Sequence, residues 1–440
     1  MKLPSEIIKY FDKKKINFFL DKLYKLPRSI TGKGFRDSLQ ILGEIIDLKI
    51  VKVKSGTKVL DWIVPSEWNI SDSYILTPDG KKIADFKKNN LHVVNYSIPI
   101  KKKIKLDKLK KFIHTIPTLP NVIPYVTSYY HKTWGFCLEH NKFKKLKKGF
   151  YNISINSKLT KGNLVYSDTI LPGKSKKQIL ISTYLCHPQM ANHELSGPIA
   201  TMILYDILKK TGPHNYSYRF LIAPENIGAA AFLHKNKRKI KKNIIAGFIF
   251  HLLANGKNFY YKKSRQGNSL ADRAALNVSN HSKKKFITSD YSASGGDERQ
   301  FCSPGFNLPV GSLSRLIPGF FKEYHNSLDN KNFFSSNTLI ESLKKYYELI
   351  LTIDTNFIPI SKIMYGTPQL SKSKIHLYPK MMKFNSKKDI DEETRVLLEI
   401  LNLADGKNDL IDIANKRNFK LINHIELIKK LLKSGYIRKK

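Results

Sequence analysis

Four short polar clusters, each ending an apolar run or lying in a polar loop, carry the residue types of a hydrolytic metal site. Cys186-His187-Pro188 ends the run 178–185, and Ala191-Asn192-His193-Glu194-Leu195-Ser196-Gly197 follows at once. Pro224-Glu225-Asn226-Ile227-Gly228 ends the run 218–223, and Ala254-Asn255-Gly256 ends the run 244–253. Tyr324-His325-Asn326-Ser327-Leu328-Asp329 brings one more histidine in a polar loop. In open α/β sheets, ligands bind beyond the carboxyl ends of the strands. His and Glu delivered there from separate segments are how a catalytic zinc centre is assembled. One such histidine alone is more often an ordinary hydrogen-bonded residue; the weight lies in the joint pattern. Asp297 and Glu298 follow the flexible Ser292-Ala293-Ser294-Gly295-Gly296. They read either as holders of a substrate ammonium group or as a solvated acidic turn. Arg315 reads as a carboxylate receptor or as half of a surface salt bridge.

These residues need a scaffold, and the chain supplies its pattern. Helical periodicity over 5–49 gives way at about 51–165 to short alternating runs between close turns, the mark of a β-rich module. From 166 to about 355, near-continuous apolar strands alternate with amphipathic helices, which predicts a mostly parallel sheet with helices on both faces. After a Pro- and Lys-rich connection (359–388), residues 390–437 read as a compact helical unit with a strand-like end, compatible with a winged helix. All three tryptophans, Trp62, Trp68 and Trp134, fall in the β-rich stretch. They read as core rings of that module, or as a cover for the site mouth that could stack on a sugar.

At 440 residues, two or three domains are expected. No apolar run is long enough to span a membrane, and the charges in Met1-Lys2-Leu3-Pro4-Ser5-Glu6 argue against a secretory signal. The three scattered cysteines form neither a disulfide framework nor a metal knuckle, which suggests reduced thiols and a cytoplasmic setting. The net charge of +42 invites a nucleic-acid reading. Only 11 of the 77 basic residues are Arg, however, and the lysines run from end to end, so nucleic acid is disfavoured as a partner. Lysines of the tail (Lys429, Lys430, Lys433, Lys439, Lys440) point to packing or dimerisation rather than to DNA.

The runs STYLCHPQMANHELSGP, APENIG, SGGDERQFCSPGFNLPVGS and EYHNSLDN resemble a bacterial aminopeptidase-like family, itself similar to the di-zinc aminopeptidases. DWIVPSEWNI, NLHVVNYS and IPYVTSYYHKTWGFC resemble its β-rich insert, and the tail resembles its winged helix. The resemblance covers nearly the whole chain. It implies a hydrolase domain from 1–50 and 166–358, an inserted domain at 51–165 and a winged helix at 385–440. It places His187 and His325 (with Asp329 four residues on) at zinc-binding positions and Glu225 at that of the proton-accepting glutamate. His193, Asn226 and Asn255 stand where the family has acids. Two close Zn²⁺ ions need anionic ligands, so these replacements point to one ion held by His187, His193 and His325, with Asn255 near it. Tyr324, Asp297, Glu298 and Arg315 are placed on the substrate side. The expectation is a zinc-dependent aminopeptidase-like amide hydrolase acting on a small peptide or amide, with a second copy of the chain, in a homo-oligomer, as an open option for a partner. The alternatives are a degenerate binding or scaffold homologue in surface-polysaccharide synthesis and a winged-helix nucleic-acid-binding protein.

Overall fold

The structure is a computed structural model that describes residues 4–370 and 392–440. Its centre is an eight-stranded sheet of β1 (Ile50–Lys54), β2 (Asn163–Leu171), β3 (Ser175–Tyr184), β4 (Tyr216–Ala223), β5 (Ile244–Ile249), β6 (Tyr260–Lys262), β7 (Ile287–Ser289) and β8 (Val310–Ser314). The order is β1-β2-β4-β3-β5-β8-β6-β7. The middle is parallel, as the apolar runs predict: β3 pairs in parallel with β4 and with β5, and β5 with β8. Toward the edges β1, β2 and β4 pair antiparallel, as do β6 and β8, so the sheet is mixed. Every residue from Gln178 to Tyr184 is buried, which requires cover on both faces. Helices Lys13–Tyr24, Lys33–Leu42, Asn192–Thr211 and Ser336–Thr355 pack with one another in one set, and Ile227–Asn243 packs with Glu298–Phe301 in another.

The stretch expected to be β-rich forms a four-stranded antiparallel sheet in the order Lys82–Ile83, Glu67–Leu76, Phe150–Thr160, Ile100–Lys105. It has its own core around Ile75, Leu109, Phe136 and Ile153. Its boundaries differ from the expectation. Ile50–Lys54 and Asn163–Leu171 pair with each other inside the central sheet, so the cuts at 51 and 165 fall within strands of the main domain. Alternating half-buried runs look alike at the edge of one sheet and in the middle of another, so periodicity could not separate them. Trp134 stacks on Phe112 in the insert core, with centroids 4.0 Å apart. Trp68 is buried in the main core and donates its indole N–H to the Ser97 carbonyl. Trp62 does neither and lines the chamber described below.

The tail contains helices Glu392–Leu403, Leu410–Lys416 and Ile425–Lys433, and its strand Ile437–Lys439 pairs antiparallel with Pro359–Ser361. The expected start at 385 lies outside the described residues. Arg273 of the main domain meets Asp409 at 2.8 Å and Asp412 at 2.7 Å, and Lys420 meets Glu348 at 3.2 Å. The tail is thereby fixed to the hydrolase-like core. On its last helix, Lys429 pairs with Glu426 and Lys430 with Glu393.

Candidate metal centre

His187 leaves the end of β3, His193 lies in the first turn of helix Asn192–Thr211, and His325 comes from a distant loop. Their ring centroids are 5.1 Å (His187–His193), 4.9 Å (His193–His325) and 5.1 Å (His187–His325) apart. One potential ligand atom from each lies within 4.8 Å of the others.

The segments that bring the rings together are locked by a few bonds. Asp329, four residues beyond His325, accepts the backbone N–H groups of Asn192 (2.7 Å) and His193 (2.8 Å). These are free donors at a helix N-terminus, which a carboxylate satisfies. One aspartate therefore ties the His325 loop to the helix that carries His193. Burial pushes its pKa up to about 7 against those backbone bonds. On the other side, His325 has a left-handed backbone (φ 55°), and its carbonyl accepts the Tyr125 N–H at 2.9 Å. Ile123 and Ser327 exchange two further bonds, so the insert zips along the His325 loop. Tyr324 stacks on His325 at 3.9 Å.

The ring nitrogens divide into bound and free. His187 Nδ1 meets Glu194 Oε2 at 2.6 Å, and Glu194 Oε1 also accepts the backbone N–H groups of Cys186 and His187. This leaves His187 Nε2 free, 3.8 Å from Glu225 Oε2. His193 Nε2 meets the Tyr184 hydroxyl at 3.2 Å, leaving its buried Nδ1 without a partner. His325 Nε2 is likewise buried without a partner. An orphaned buried nitrogen costs about 1–3 kcal/mol, and a dication bound among the three rings would satisfy both. The donor set is three imidazoles with a carboxylate behind one of them, which fits zinc with an open coordination position. Burial, then the neighbouring imidazoles, lowers His193 well below its usual pKa; burial and His187 hold His325 at about 3. Both are in the unprotonated form that a metal requires. Burial also opposes charge on His187, but Glu194 outweighs it and raises that pKa.

Glu225 follows β4 and lines a chamber of about 380 Å³ together with His187 and His325. Trp62, Tyr125, Tyr129 and Tyr130 form its aromatic wall. Burial raises the Glu225 pKa, Glu194 adds to this and His187 opposes it. Asn226, at the expected second acid, has φ 61°; its N–H donates to Asp297 at 2.6 Å and its side-chain oxygen accepts from Arg299 at 2.8 Å. The Arg299 guanidinium thus takes up the side-chain oxygen of Asn226.

The expected substrate residues need correction. Asp297 is fully buried and holds the Asn226 turn, and Glu298 is ion-paired with Lys262, so neither is a solvated acidic turn. Arg315 is 3 % exposed: its nitrogens bond Ser342, the Gly256 carbonyl and Glu341, and it lies over Phe259. The carboxylate it receives is that of Glu341, so its salt-bridge reading holds, and with its other bonds it braces loops. Asn255 donates its amide to the Phe333 carbonyl (2.7 Å). The residue that β5 presents near Tyr184 is His251, two positions past the strand end; burial lowers its pKa to about 4. Sequence reading passed over His251, Glu194 and the tyrosine wall. A carboxylate near a ligand histidine was the available signal, since metal-bound imidazoles are commonly oriented by one. Replacing Glu194 by Gln is expected to weaken zinc binding about 10–100-fold, as measured by competition with a chelating dye.

With this geometry in view, relatives identify the lineage. Residues 18–356 match the family described as Domain of unknown function (DUF4910), and 359–439 match the winged helix-turn-helix family. The chain belongs to the first family and ends in a winged helix. A Clostridium acetobutylicum protein, provisionally named for polysaccharide biosynthesis and for an aminopeptidase-like domain, is 42% identical over 397 residues, 90% of each chain. A crystal structure from C. acetobutylicum, provisionally called a peptidase, superposes with TM-score 0.90 at 38% identity, covering 99% of this chain and 100% of that one. A Bacillus subtilis zinc aminopeptidase superposes with TM-score 0.56 at 10% identity, over 77% of this chain and 94% of its own. That last likeness shows an aminopeptidase-like fold. Among the described residues, no helix is long and apolar enough to cross a membrane.

Proposed function

We propose that this protein is a metal-dependent amide hydrolase with one zinc ion held by His187, His193 and His325. The observation that carries the reading is the convergence of three imidazoles, two with buried orphan nitrogens, beside a single carboxylate lining an aromatic chamber. Bound there, zinc would supply Lewis acidity toward a substrate carbonyl and toward water. Glu225 takes the proton of the attacking water and passes it to the departing amine; its raised pKa suits both transfers near neutral pH. The Tyr125 ring packs against His187 and His325, and Glu194 fixes the tautomer of His187. Trp62 and Tyr130 from the insert cover the mouth, limiting water and offering a flat face to a substrate ring. Engagement of Asp297 and Glu298 elsewhere leaves Glu225 as the carboxylate of the chamber. A neutral amide is therefore the better substrate than one carrying a free ammonium group.

A second reading has its own support. The Arg299–Asn226 bond removes the charge compensation of a two-ion centre, and the Clostridium relative's name places that protein in polysaccharide biosynthesis. A binding or scaffold protein of that process is the alternative. Zinc-loaded and chelator-treated protein assayed against acylated and free-amino arylamides separates the two. Zinc-dependent turnover favours the hydrolase, and zinc binding without turnover of any amide favours the scaffold.

A further inference from the structure

The insert holds a second cavity, of about 550 Å³, that shares no lining residue with the aromatic chamber. Seven of its sixteen lining residues are lysine, against 66 of 440 in the whole chain, so the chain's general lysine content does not account for it. Two lining aspartates and Glu139, which reaches Lys142, offset three of the seven lysines and leave an excess of four positive charges. Lys82 pairs with Asp85 at 3.1 Å and Lys142 with Glu139 at 2.7 Å. Among the described residues, Lys81, Lys88, Lys145, Lys147 and Lys148 have no carboxylate within 4.0 Å, although Asp79 attracts Lys147 and Lys81 from farther off. Their backbone is held in place: the buried Tyr151 donates its hydroxyl to the Lys147 carbonyl at 2.8 Å, and the Lys81 N–H donates to Thr77 Oγ1 at 2.9 Å. These five lysines are exposed, and like charges gathered around one concavity add their fields, whereas lysines spread over a convex surface are screened separately by salt.

We infer that this cavity binds a small ligand carrying two or more adjacent phosphates. One phosphate of about −2 leaves half of that excess uncompensated, whereas a diphosphate approaches it. The site is independent of the metal centre and of the reading given to it. A free diphosphate and one borne on a lipid headgroup share this chemistry, and titration with inorganic pyrophosphate beside vesicles carrying a lipid diphosphate separates them by which binds more tightly.

Calorimetric titration of the full chain with inorganic pyrophosphate is expected to give saturable 1:1 binding that weakens as salt rises. The Lys145→Glu/Lys147→Glu/Lys148→Glu variant is expected to bind at least about tenfold more weakly, since each removes a phosphate contact. A charge-matched control, Lys283→Glu/Lys284→Glu/Lys285→Glu, alters exposed lysines outside the cavity and is expected to bind as wild type. Absence of saturation, or equal loss in the two variants, would overturn the inference. So would phosphatidylglycerol vesicles binding the wild type but not the cavity variant while pyrophosphate binds neither, since the cavity would then read a membrane surface.

Discussion

Glu225→Gln is expected to lower kcat by a factor of about 10²–10⁴, the usual contribution of a positioned proton-transfer group, with zinc content unchanged. Gln keeps the size of the side chain and cannot accept the proton. The carboxylate makes no strong ion pair that the protein depends on; its contact with His187 Nε2 is 3.8 Å, beyond hydrogen-bonding reach. Stability should therefore stay close to wild type, and a fall in kcat can be assigned to chemistry. Steady-state kinetics on one acylated arylamide, with elemental analysis of the same sample, checks both halves. A variant that turns over at the wild-type rate would remove Glu225 from the reaction.

The second large effect is expected at His325. Zinc at about a hundred times its Kd stabilises a folded protein by about 2.7 kcal/mol through linkage alone. His325→Ala should abolish that zinc-dependent increment. The metal-free variant should lose little, because the ring's Nε2 has no partner to lose and its stacking on Tyr324 contributes only about 0.5–1.5 kcal/mol. Chemical denaturation with and without zinc reads both quantities. If the metal-free protein instead collapses and zinc never mattered, the imidazole is a packing residue. His187 is a less clean target, since removing its ring strips Glu194 of a buried charge partner, a break that typically costs about 3–5 kcal/mol.

The sequence made the frame legible for a definite reason. Gln178–Tyr184 is apolar enough to be buried on both faces, and such strands followed by helices have few alternatives to a parallel-centred sheet. The three histidines were legible because each ends or follows an element whose type could be read. What escaped were roles set by contacts between distant segments. Asp297 and Glu298 follow a Gly-Gly pair and looked like a mobile turn, yet Asn226 lies 71 positions away and binds Asp297 into the interior. Arg315 was ambiguous until Ser342 and Glu341, on a helix that begins 21 residues later, took its nitrogens. The resemblance places Asn255 after the third apolar run, which continues to Leu253, whereas β5 itself stops at Ile249 and His251 follows two positions on. Glu194 sits in a buried helical turn beside Asn192, His193 and Ser196, where helical periodicity does not tell an orienting carboxylate from its polar neighbours.

The expectation of one ion is the point on which the chemistry turns. Metal content of the zinc-reconstituted protein, taken with X-ray absorption at the zinc edge, tests it most directly. The result expected is one zinc per chain with three imidazole nitrogens at about 2.0–2.1 Å. Two tightly held zinc ions, or none, would contradict it.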